Sequence, residues 1–145
     1  MRLLGENCNP DNFSTLTLAF VGDGVYELFV REHLACLANR PAGELNSRKV
    51  QLVKASAQAE AFRKISNLLS EKELAIFKRG RNAHPPHSAK NASSADYHAA
   101  TGLEALFGWL YLSEQQQRAA ELLTGTHEFA AYTDKKDETS TKRTI

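Results

Sequence analysis

Two acidic residues stand alone in apolar surroundings. Asp23 lies between Gly22 and Gly24 inside the stretch Leu16 to His33, and Glu104 is the one charged side chain between Gly102 and Leu112. In the first stretch the apolar positions Leu16, Leu18, Phe20, Val21, Val25, Tyr26, Leu28, Phe29 and Val30 cover most of a helical circumference. That pattern predicts a helix that is largely buried. Aspartate is a poor helix former, and each flanking glycine costs about 1 kcal/mol relative to alanine in a helix interior. Three unfavourable choices in a row point to a requirement other than folding. A desolvated carboxylate is costly unless it is paired or bound to metal. If the helices carrying Asp23 and Glu104 cross near their glycines, the two carboxylates converge and repel unless a cation lies between them. Oxygen ligands without a cysteine or histidine cluster suit Mg2+ or Mn2+, which retain several waters and meet phosphate oxygens. Such a site activates water for attack on a phosphodiester. Glu27, one helical turn beyond Asp23, is placed to take part through water or from behind the first ligands. The alternative is that each acid pairs with a lysine or arginine, or caps a neighbouring helix.

The elements that must position these acids are all helical. Met1 to Phe13 carries Gly5, Asn7, Asn9, Pro10 and Asp11 and reads as an irregular lead-in. Ser14 is an N-cap for a first long helix running to about Ala38, ended by Asn39-Arg40-Pro41. A second long helix is expected from about Gly43 to Leu68. Ser70 with Glu73 forms a capping box that opens a short helix to about Arg79. From Leu74 to Ala95 the chain holds Lys78, Arg79, Arg81, Lys90, His84 and His87, no acid, and Gly80, Pro85 and Pro86. Most of that segment reads as an exposed loop, either simply solvated or contacting phosphates through Lys78, Arg79 and Arg81. Asp96 or Ser94 caps a helix from Tyr97 to Leu112, in which Ala100, Gly102, Ala105 and Gly108 allow a neighbour to approach closely. A last helix runs from about Glu114 to Tyr132, and residues 133–145 read as a polar tail, leaving residues 1–132 as one domain. The fold class is all-α.

Composition narrows the partners. The 145 residues include 18 basic and 17 acidic ones, for a formal net charge of +1, so any contact with a polyanion must be local. Cys8 and Cys36 are too few for a disulfide scaffold and lack metal-ligand spacing, and Cys36 reads as a buried thiol. No apolar run is long enough to span a bilayer and no export signal is visible at the N-terminus, which makes the cytoplasm the expected compartment. Tyr26, Tyr97, Trp109 and Tyr111 read as core or interface residues.

Val21-Gly22-Asp23-Gly24, followed by Leu103-Glu104-Ala105-Leu106-Phe107-Gly108-Trp109-Leu110-Tyr111-Leu112, resembles the paired signature of the ribonuclease III catalytic domain. The likeness to its compact relative, Mini-ribonuclease III, is closer. It extends through Leu18-Ala19-Phe20, Tyr26-Glu27, Lys78-Arg79-Gly80-Arg81-Asn82-Ala83 and Tyr97 to Gly102, and covers about Leu16 to Leu123. Full-length ribonuclease III places further acids at the positions held here by Ala19 and Thr101, a reduction that Mini-ribonuclease III resembles this chain in sharing. The resemblance implies a homodimeric helical bundle with a valley for double-stranded RNA. It implies a Mg2+-dependent (or Mn2+-dependent) endoribonuclease that trims structured ribosomal RNA precursors at the ends of 23S rRNA. Asp23 and Glu104 would be the metal ligands, with Glu27 orienting a water. Lys78, Arg79, Arg81, Asn82 and Lys90 would hold the RNA backbone, and Trp109, Phe107 and Phe29 would be candidates for the dimer contact. The rival expectation is a non-catalytic dimer of the same fold that binds structured RNA or ribosome precursors.

Overall fold

The computed structural model describes residues 2–83 and 93–126. Among these there is no strand, and the six α-helices are α1 (Thr15–Leu37), α2 (Ala42–Val53), α3 (Ala55–Ile65), α4 (Glu71–Asn82), α5 (Ser94–Leu112) and α6 (Gln116–Thr124). No helix of the described residues is long and apolar enough to cross a membrane.

Helix α5 is the axis of the domain, with α1, α3 and α4 packed around it. Leu103, Ala105, Leu106, Phe107 and Leu110 are buried on nearly every side of it. Tyr26 of α1 meets Phe107 edge to face at 5.2 Å, and Phe62 of α3 stacks on Phe77 of α4 at 3.6 Å. Small residues set the spacing. A methyl group at Gly102 would come within 2.7 Å of the Phe77 carbonyl, and one at Gly80 within 2.7 Å of the Gly102 Cα. Gly80 therefore lies inside α4 at a helix crossing, where its sequence context reads as a terminator. That is why α4 continues to Asn82, and why Lys78, Arg79, Arg81 and Asn82 stand on a helix and not in a loop. Lys90, His84 and His87 lie outside the described residues.

Ser14 caps α1 by accepting from the Thr17 amide, and Ser70 with Glu73 completes the capping box of α4. The cap of α5 is Ser93, one residue before the expected Ser94, which already occupies the first helical position. The second long helix is in fact two. Lys54 takes an extended conformation (ψ 156°), ending α2 and starting α3, and a 3-10 turn at Ser66–Leu68 follows. Nothing in the local composition marks that break. The last helix ends at Thr124, and its expected extension to Tyr132 falls mostly outside the described residues.

Helix α1 is not largely buried. Its inner face carries Leu18, Ala19, Gly22, Val25, Tyr26, Val30 and Leu34, while Phe20 is 82% exposed, Leu28 55% and Leu16 38%. Of the residues expected at a dimer contact, Phe107 belongs to the protomer core and Phe29 packs partly against it. Trp109 is engaged within the protomer: its Nε1 donates to Asp11 at 3.0 Å and Lys72 lies over its ring. Tyr111 accepts from the Leu3 amide, holding the N-terminal segment against α5. Cys36 is exposed, because it falls on the outer side of α1.

One ion pair ties the far end of the bundle. Glu73 is buried and accepts from Arg118 Nε at 2.9 Å and Nη2 at 2.8 Å, while the same Nη2 reaches the Leu68 carbonyl at 2.7 Å. The Arg118 guanidinium holds the Glu73 carboxyl below its ordinary range. Arg118→Met removes the counter-charge of the buried Glu73 carboxylate and leaves it only the Ser70 amide as a donor, at an expected cost of about 3 kcal/mol at pH 7. Because the folded-state pKa is depressed, this contribution is complete above the unfolded value, about 4, and is lost as pH falls through the folded one. Urea unfolding of both proteins at pH 7 and pH 3 should show a gap that narrows in acid.

Candidate active site

The site is built where α1 crosses α5. A methyl group at Gly22 would overlap the Glu104 carbonyl oxygen and lie 2.7 Å from the Gly108 amide nitrogen, and one at Gly108 would overlap the Leu18 carbonyl oxygen. The two backbones touch, and both acids flank the point of contact. Asp23, directly after Gly22, is exposed, which corrects the expectation that both acids are buried. Glu104 is partly buried. Its Oε1 accepts from Gln58 Nε2 at 3.1 Å, and the same Nε2 donates to the Val53 carbonyl at 2.8 Å.

Burial pushes the Glu104 carboxyl up to about 7, the negative charge of Asp23 adds to the shift, and the Gln58 hydrogen bond opposes it. No cation is among these influences, so the alternative of a lysine or arginine partner for Glu104 is not what the described residues form. Nor does a third histidine, cysteine, aspartate or glutamate among them join the pair. One exposed and one partly buried carboxylate, within electrostatic reach of each other, is a donor set that fits a hard divalent ion completing its shell with water and phosphate.

Residues 16–115 match the ribonuclease III domain model. The chain belongs to the ribonuclease III family. It is 42% identical over 124 residues to a Mini-ribonuclease 3 of Clostridium tetani, covering 83% of this chain and 82% of that protein. With the Mini-ribonuclease 3 of Symbiobacterium thermophilum the identity is 40% over 121 residues, covering 83% and 93%. The crystal structure of protein FN1578 from Fusobacterium nucleatum superposes with a TM-score of 0.71 at 29% identity, covering 78% of this chain and 90% of that one.

The ribonuclease III fold explains how the other expected site residues fall. At the positions where the full-length family has acids, Ala19 is buried and Thr101 is buried with its Oγ1 donating to the Tyr97 carbonyl at 3.0 Å, so neither offers a carboxylate. Glu27 is ion-paired: Oε1 accepts from Lys49 at 3.1 Å and Oε2 lies 3.3 Å from Arg31. The hydrogen bond from Lys49, with the charges of Lys49 and Arg31, keeps its carboxyl below the ordinary range. It ties α1 to α2 and does not join Asp23 and Glu104 as a third donor. Lys78, Arg79, Arg81 and Asn82 are exposed on the last turns of α4, Arg81 with its guanidinium over the Phe77 ring at 5.9 Å and its Nε on Asn82 Oδ1 at 3.3 Å. Gln58 was missed in the sequence. Its one signal there is a long polar side chain on the alanine-rich face of α3, and glutamines on helices are ordinarily exposed.

Proposed function

We propose that this ribonuclease III protein is an endoribonuclease that cleaves double-stranded RNA with a divalent ion, Mg2+ or Mn2+, held by Asp23 and Glu104. The observation that carries this reading is the glycine-mediated α1–α5 crossing, at which the charge of Asp23 is felt by Glu104 with no lysine or arginine among the influences on it, and relatives named Mini-ribonuclease 3 support it. The ion, when bound, lowers the pKa of a water and stabilises negative charge on the attacked phosphate. Glu104 gives up its proton on taking part. Asp23, being exposed, is open to solvent and to an incoming substrate. Lys78, Arg79, Arg81, Asn82 and Lys90 hold the RNA backbone, which suits A-form duplexes read by shape and not by base. Glu27, paired with Lys49 and Arg31, takes part through water and not as a direct ligand.

The active form in this proposal is a homodimer. Leu16, Phe20, Gly24 and Leu28 recur every fourth residue along the exposed side of α1, a ridge of the kind that packs on another helix. Gly24 costs α1 about 1 kcal/mol, and a methyl there would meet nothing within the protomer. Close approach of a second copy gives that glycine a reason. The substrate proposed is a structured ribosomal RNA precursor, at the ends of 23S rRNA, in the cytoplasm.

The test is direct. The purified chain is incubated with a long RNA duplex and with a matching single strand, in Mg2+ and in chelator. Short duplex products that require Mg2+, with the single strand intact, are the expected result. Salt-sensitive duplex binding without any metal-dependent product would favour the non-catalytic RNA-binding dimer.

A further inference from the structure

Gln58 combines three features that ordinary packing does not produce together. It is only 3% exposed, its Nε2 serves two acceptors on two other helices, and its own Oε1 is buried with no hydrogen-bond partner. A leucine or methionine would fill the same volume without burying a carbonyl that nothing satisfies. The amide orientation is fixed by chemistry: turned over, Oε1 would face the Val53 carbonyl, another acceptor.

The break between α2 and α3 belongs to the same arrangement. In an uninterrupted helix the Val53 carbonyl would accept from the amide four residues on. Here Lys54 is extended, its own carbonyl takes the Gln58 amide at 3.0 Å, and the freed Val53 carbonyl takes the Gln58 side chain. The glutamine is thus tethered to main chain at one side and to a single oxygen of Glu104 at the other. The second Glu104 oxygen has no hydrogen bond among the described residues.

We propose that Gln58 is a positioning residue for Glu104: anchored at the α2–α3 break, its amide holds the carboxylate in one orientation beside Asp23, with one oxygen engaged and the other open. This rests on the reading of Glu104 as a metal ligand. A carboxylate already fixed loses less side-chain freedom when it takes a cation, and partners of this kind typically change metal affinity or activity by about 10- to 100-fold.

The test uses Gln58→Met, which keeps the volume and removes both donors, and Gln58→Asn, which keeps the amide but is one methylene too short to span both partners. Three properties are measured for each and for the wild type: Mn2+ affinity of the RNA-free protein by calorimetry, kcat and KM on an RNA duplex at subsaturating Mg2+, and thermal unfolding. The expected result is a folded variant whose Mn2+ affinity and kcat each fall about 10- to 100-fold while KM for the duplex stays within about twofold. A purely structural amide would lower the melting temperature and leave Mn2+ affinity and kcat of the folded protein unchanged, which overturns the proposal. So would a defect confined to KM, or failure of both variants to fold. Absence of Mn2+ binding by the wild type would instead overturn the reading of Glu104 on which the proposal stands.

Discussion

Duplex cleavage is expected to fall by at least about a thousandfold in Asp23→Asn, and as far in Glu104→Gln, with both proteins folded. A bound ion supplies several kcal/mol of charge stabilisation, and each 1.36 kcal/mol is a factor of ten in rate. No third carboxylate among the described residues stands ready to replace either ligand. The two variants part company in stability. The Glu104 carboxyl is raised to about 7 by burial and by Asp23, so the folded chain binds the proton more tightly than the unfolded one. For a raised carboxylate, stability is highest below the unfolded value near 4 and declines as pH climbs through the folded value of about 7, above which the charge is fully imposed. Glu104→Gln removes that charge and is expected to stabilise the metal-free protein at pH 8 by on the order of 2 kcal/mol. At pH 4 the gain should vanish. Asp23, exposed, offers no such gain by desolvation, and its replacement acts on stability only by relieving Glu104. Gel assays of duplex cleavage and thermal unfolding at the two pH values check both halves. An inactive variant more stable than its parent is what a site kept for chemistry should give.

Gly22→Ala is expected to disrupt the fold itself. The added methyl would overlap the Glu104 carbonyl and press on the Gly108 nitrogen, and both are backbone atoms of a helix that cannot turn away as a side chain can. Helices α1 and α5 would have to move apart, opening contacts along Leu18, Tyr26, Leu103 and Phe107. Overpacking of a well-filled core costs about 1–3 kcal/mol where side chains can yield, and more where they cannot. A loss of about 4 kcal/mol, or about 12 °C in melting temperature for a chain of this size, is the expected outcome. Unfolding followed by circular dichroism, with Gly43→Ala as a helical glycine in open space for comparison, measures it.

The acid pair was legible because a lone charge in an apolar helix is a local violation that a sequence displays openly. So was the close approach at Gly102 and Gly108, whereas Gly22, which reads as serving something other than folding, is itself the point where α1 meets the α5 backbone. The Ser70 and Glu73 capping box could also be read directly. What escaped depends on partners distant in the chain. Lys54 and Ala55 are good helix formers, and no Gly or Pro marks the break at which the Val53 carbonyl takes the Gln58 side chain. Gly80 reads as a stop signal, yet its neighbour is Gly102. Arg118 and Glu73 are 45 residues apart, and nothing near either announces the other. The apolar positions around α1 predict burial, but hydrophobic periodicity alone does not tell a core face from exposed apolar positions such as Leu16, Phe20 and Leu28. Phe107, a dimer-contact candidate by resemblance, fills the core instead.

Calorimetric titration of Mn2+ into the RNA-free wild type, Asp23→Asn and Glu104→Gln at pH 8 addresses the shared ion directly. The account predicts saturable binding by the wild type that weakens by about 100-fold or more in each variant. Wild-type affinity retained in either variant would show that the two carboxylates do not share an ion.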